Sequence, residues 1–205
     1  MIKTLLNLRN PFVLLCAVLL TGCAFPKTSI DTIEQVADDE ILYIGRVMLD
    51  PPMTEADVQL ENMINLSDTP LHKSLQMKVS NVFYDLGGQL ASDYEDSIFT
   101  VDGDYYYFTW KKKEPLNVLG VTFITRSTQT NLDTMTLSIK KGVKVNHSGK
   151  SRAVYVGDIT FVRDEFFNIK DIDIDQKNYK KAVKAFRKKY NSDWKVETAK
   201  LTSSK

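Results

Sequence analysis

Cysteine is nearly absent from this chain. Among 205 residues there are two, Cys16 and Cys23. Everything after Cys23 must therefore fold without a disulfide, and it holds neither thiolate metal ligands nor a cysteine nucleophile. Histidine is as scarce, with His72 and His147 alone. Both stand in polar, loop-like surroundings, after Pro70 and before Ser148-Gly149. Neither has the His-Glu-x-x-His spacing that puts two zinc ligands on one helix face. A Gly-x-Ser-x-Gly elbow and a phosphate-binding glycine loop are missing too. No residue is accordingly assigned to catalysis or to a metal, and the chain is read as non-enzymatic.

An excess of either charge is also lacking. Lys+Arg number 27 and Asp+Glu 26. Such a balance excludes the basic footprint of a nucleic-acid binder. Long apolar runs are missing as well. The run from Phe12 to Leu20 falls far short of the ~20 residues that span a bilayer as a helix.

What is present starts at the N-terminus. Lys3 and Arg9 carry positive charge with no acid beside them, and the Phe12–Leu20 run follows. That order is the basic region and apolar region of a secretory signal. Directly after it stands Leu20-Thr21-Gly22-Cys23. This quartet resembles the lipobox of bacterial lipoproteins. The resemblance implies cleavage between Gly22 and Cys23, a diacylglycerol thioether on Cys23 and an acyl chain on the new amino group. No other cofactor is expected. Cys16 follows Leu15 rather than a small residue and is read as leader. One acyl chain alone binds a membrane only marginally, so the three that the family implies would make anchoring effectively permanent. Ala24 stands where an aspartate favours inner-membrane retention in enterobacterial lipoproteins. The resemblance therefore implies the outer membrane, on its periplasmic face.

The domain plan is then a signal peptide at 1–22, a lipidated tether at 23–40 and a single mainly β domain at 41–205. A short helical turn is expected near Asp31–Val36, and a short helix over Met53–Ile64 with Thr54 as its cap. Strands are expected at Ile41–Leu49, which stops at Asp50-Pro51-Pro52, and at Leu75–Phe83, where apolar and polar residues alternate. Asp102-Gly103, between Ile98–Val101 and Asp104–Trp110, predicts a tight hairpin. Further strands are expected at Val118–Thr125, Thr134–Ile139, Val143–Val145, Ala153–Val162 and Ile169–Ile174, with Lys141-Gly142 as a turn. One amphipathic helix is predicted from about Gln176 to Tyr190, capped by Asp175. The fold expected is an antiparallel β-sandwich or small barrel with that C-terminal helix. The Val101–Ile124 stretch, with Asp102-Gly103-Asp104-Tyr105-Tyr106 and then Pro115-Leu116 and Gly120, is similar to the prealbumin-like or carboxypeptidase-regulatory-like sandwich domains of envelope lipoproteins.

Two surfaces are candidates for binding. Alternation sends Tyr105 and Tyr107 to one face of their strand, and Tyr106, Phe108 and Trp110 to the other. Such rings line pockets and stack on sugars, or simply fill a core. The predicted helix carries Lys177, Lys180, Lys181, Lys184, Arg187, Lys188 and Lys189 off its apolar stripe. Lys181, Lys184 and Lys188 suit an anionic surface or an acidic partner, or serve as an ordinary solvated face. Asp171, Asp173 and Asp175 alternate with isoleucines but lack the glycine and glutamate of a calcium loop. The function expected is that of a membrane-anchored periplasmic lipoprotein, held to the membrane by its lipid and binding another envelope protein. A periplasmic small-ligand or glycan binder or inhibitor is the alternative, followed by a wall-directed hydrolase using paired carboxylates.

Overall fold

The computed structural model describes residues 29–60, 70–81, 83–85, 90–92, 95–127 and 132–203. The leader, Gly22 and Cys23 lie outside the described residues, as do the last residues of the expected 53–64 helix. The strands are β1 (Glu40–Asp50), β2 (Gln59–Leu60), β3 (Ser74–Ser80), β4 (Phe83–Asp85), β5 (Leu90–Ser92), β6 (Glu95–Val101), β7 (Tyr105–Lys111), β8 (Leu116–Ser127), β9 (Leu132–Asn146), β10 (Ala153–Arg163), β11 (Ile169–Asp175), β12 (Val196–Thr198) and β13 (Lys200–Ser203). Helix α1 (Tyr179–Tyr190) comes between β11 and β12.

Among these residues the first sheet runs β11-β10-β1-β7, with β12 also on β10. The second runs β13-β9-β8-β3-β6, with β2 on β8. Strands β4 and β5 pair separately. The two large sheets stack as a sandwich, not a closed barrel. Most pairs are antiparallel, but β1 runs parallel to β10. The residues of β1 explain its central place. Ile41, Tyr43, Val47 and Leu49 enter the core between the sheets, while Leu42 and Ile44 join a second core under α1. A strand covered on both faces needs a nearly continuous apolar run, and Ile41–Ile44 supply it.

Several expectations are corrected. Asp102-Gly103 does make a turn, with Gly103 at φ 79° and Asp104 N–H donating to the Val101 carbonyl at 3.0 Å. Yet β6 pairs with β3 and β7 with β1, so the turn is a corner between sheets, not a hairpin. Neighbouring strands hold it there. Gly103 N–H donates to the Val47 carbonyl at 3.0 Å and Asp102 N–H to the Lys73 carbonyl at 2.8 Å. The Asp102 carboxylate accepts Leu49 N–H at 3.2 Å. Lys141-Gly142 is not a turn either. Strand β9 runs through it, and between Val118 and Gly120 of β8 the partner steps from Val143 to Ser138. Gly142, at φ 64°, supplies the left-handed geometry that a bulge needs. Thr54 caps as expected, but its helix is a single 3-10 turn, Glu55–Asp57, before the chain extends into β2. The segment 29–40, read as tether, is laid against the body: Val36 is buried and Ile30 and Ile33 pack beside it.

Candidate functional site

Helix α1 forms a third layer on the outer face of the first sheet. Ala182, Phe186 and Tyr190 are buried among Leu42, Ile44, Tyr107, Ala153 and Tyr155. The helix starts at Tyr179, three residues later than expected. Gln176 is held to the sheet instead, its amide donating to the carbonyls of Val156 (2.8 Å) and Ala199 (2.9 Å). Asp175 accepts Lys177 N–H at 2.9 Å, so it closes a turn and does not cap. Asn191 ends the helix in the left-handed conformation, its N–H donating to the Arg187 carbonyl. Phe186→Ala is expected to cost about 3–5 kcal/mol, read by urea unfolding. A much smaller loss would mean that the layer is loosely seated.

A polar cluster fixes the start of α1, and the sequence reading overlooked it. Arg46 and Asp158 are cross-strand partners of β1 and β10. The Arg46 guanidinium donates from Nε to Asp158 Oδ1 at 3.1 Å and from a terminal nitrogen to Oδ2. Tyr155 Oη donates to Oδ1 at 2.9 Å and Asn178 Nδ2 to Oδ2 at 2.8 Å. Burial alone would raise the Asp158 carboxyl; its Arg46, Asn178 and Tyr155 donors outweigh that and hold it below the usual carboxylate range. One signal was available: each is a lone charge inside an apolar strand run, where a charge persists only if paired.

The predicted binding residues do not converge. Trp110 is in the core between the sheets, with Nε1 donating to the Pro115 carbonyl at 3.0 Å. Tyr107 is buried under α1, edge-on to Tyr190 at 5.3 Å, and burial pushes its phenol up to about 12. Both rings are buried, the core-filling alternative that the alternation also allowed. The cause is the strand's position, covered by the second sheet on one face and by α1 on the other. Tyr105 is half-buried beneath the Arg46 guanidinium, 5.1 Å from the ring centre. Lys181, Lys184 and Lys188 are exposed on α1. Cys23 lies outside the described residues.

Other polar groupings serve the fold. His147, Ser148 and Glu197 lie together, but Ser148 Oγ donates to Glu197 at 2.5 Å and not to the imidazole. His147 Nδ1 accepts Gly149 N–H at 3.0 Å, and burial keeps the ring's pKa below its ordinary value. This is a loop clasp, not a serine–histidine relay. Asp171, Asp173 and Asp175 form no metal-holding group among the described residues. Asp164 shapes the β10–β11 loop, accepting N–H groups from Phe166 and Asn168 and pairing with Lys170 at 2.8 Å. Phe166 at its tip is 73% exposed. A shallow groove of about 590 Å³ opens at the β11 and β13 edges, lined by Val143, Ile174, Gln176, Ala199, Lys200 and Leu201.

Comparison of the chain with models of known protein families, with curated proteins and with solved structures finds no match.

Proposed function

We propose that this chain is a lipid-anchored envelope protein, attached at Cys23, whose sandwich body acts by binding another envelope component. The observation that carries the reading is Leu20-Thr21-Gly22-Cys23 directly behind a basic start and a short apolar run. Ala24 favours the outer membrane, with the body on the periplasmic side. The polar clusters of the body support a binding role over a catalytic one, because their hydrogen-bonding capacity goes to structure. Asp158 takes donors from three side chains, and the Ser148 hydroxyl is committed to Glu197.

Cys23→Ser tests the anchor. Cells fed a clickable fatty acid should label the parent protein and not the variant, and the variant's body should leave the membrane fraction. Continued labelling of the variant would sink the assignment. Crosslinking in intact cells, followed by mass spectrometry with the same variant as control, should then yield an envelope partner that is lost without the lipid.

A further inference from the structure

We propose that the lysine-rich face of α1 lies against the phosphate-bearing headgroups of the membrane in which Cys23 is anchored, and so sets the orientation of the body on that surface. The inference rests on the lipid-anchor reading.

The charge pattern is the first ground. At ~100° per residue, Lys180, Lys181, Lys184, Arg187 and Lys188 fall within one arc, opposite the buried Ala182, Phe186 and Tyr190. A helix face arranged for its own stability mixes signs at spacings of three and four and puts acids in the first turn. Here the first turn has no acid, and Lys180–Lys184 and Lys184–Lys188 are like-charged pairs four apart. Among the described residues no carboxylate lies within ion-pair distance of these five side chains. This face opposes helix stability and has no counter-charge within ion-pair distance among the described residues.

The second ground is where the chain enters. Ile30 N–H donates to the Tyr107 carbonyl at 2.9 Å, and Tyr190 Oη donates to the Ile30 carbonyl at 2.5 Å. The N-terminal segment is therefore stitched to the C-terminal end of α1. Six Cα-to-Cα steps lead from Cys23 to Ser29, a reach of at most ~22 Å. The anchor point must lie within about that distance of Ser29, on the side where the segment meets Tyr190 at the C-terminal end of α1. The outer face of the second sheet lies about two layer spacings away, ~20 Å through the body and farther around it. The short reach and the uncompensated charge point to the same side.

The test uses the lipidated protein in vesicles of phosphatidylcholine, with or without phosphatidylglycerol. The scarcity of cysteine helps: with Cys23 acylated, Lys180→Cys or Ser138→Cys gives a single dye site, on α1 or on the outer face of the second sheet. Energy transfer to a headgroup-labelled lipid is read at each. Transfer should be stronger from position 180, in vesicles with phosphatidylglycerol only. The difference should disappear in about 1 M salt, where the screening length falls to ~3 Å. It should also disappear in K181E/K184E/K188E, which still enters vesicles by its lipid. Equal transfer from an anchored protein, or a difference that persists in neutral vesicles, overturns the orientation alone. A protein that carries no lipid and stays out of vesicles overturns the anchor reading, and the inference with it. Equal transfer together with crosslinking of α1 to an acidic protein in cells reassigns the face to that protein.

Discussion

Asp158→Ala is expected to cost about 3 kcal/mol of folding stability, the lower end of the range for breaking a buried ion pair. Asp158 is 3% exposed, while Arg46 keeps 21% of its side chain in contact with solvent. That water access softens the loss. The variant orphans Arg46, the Tyr155 hydroxyl and Asn178 together, and Asn178 is the residue that leads into α1. Guanidinium unfolding measures the change, and a loss below about 1 kcal/mol would mean that the cluster is effectively solvated. The same group gives a pH signature. Its pKa is depressed in the fold, so its contribution is complete above the unfolded carboxylate value, near 3.9. Stability should fall as pH drops from there through the lower folded value. Asp158→Asn should flatten that acid limb.

Gly45→Ala is expected to be as damaging, at about 3 kcal/mol or more. A Cβ at Gly45 would stand 2.8 Å from the Gly157 carbonyl oxygen and closer still to the Tyr106 hydroxyl. Tyr106 is 1% exposed in the core between the sheets and has no room to swing away. A compensating change tests the share of the hydroxyl. Tyr106 Oη makes no hydrogen bond among the described residues, so Tyr106→Phe alone should be neutral or mildly stabilising. In the background of Gly45→Ala it should recover part of the loss. No recovery would place the strain on the ring carbon Cζ, 2.5 Å from the new Cβ, or on the Gly157 backbone. Thermal unfolding of the four proteins decides it.

The sequence carried the strands well where burial is periodic or continuous. Ile41–Leu49 and Ala153–Val162 were legible because sheet and helix bury both of their faces. Tyr179, Val183, Phe186 and Tyr190 marked the helix stripe. Pairing was less legible, because turn chemistry is local and sheet membership is not. Asp102-Gly103 specifies a tight turn whether the chain folds back or crosses to another sheet. The contacts that decide it come from Val47, Leu49 and Lys73. Gly142 carries the same positive φ in a bulge that it would in a turn. As for the site, the exposed lysines of α1 were visible as a charge run. The burial of Tyr107 and Trp110 was not, since an aromatic strand looks alike in a core or a pocket.

The parallel pairing of β1 with β10 bears on how the molecule comes into being. Arg46 and Asp158 are 112 positions apart, so the strand made first waits for a neighbour made near the end. Until β10 arrives, β1 has one edge bare and the apolar run Ile41–Ile44 uncovered. Closing so long a loop is entropically costly, and sheets dominated by distant contacts fold on the order of milliseconds to seconds. A chain cut before residue 153 lacks β10, β11, α1, β12 and β13. It should not form a smaller version of the domain but an aggregation-prone remnant. The first sheet therefore cannot close until β10 has been made.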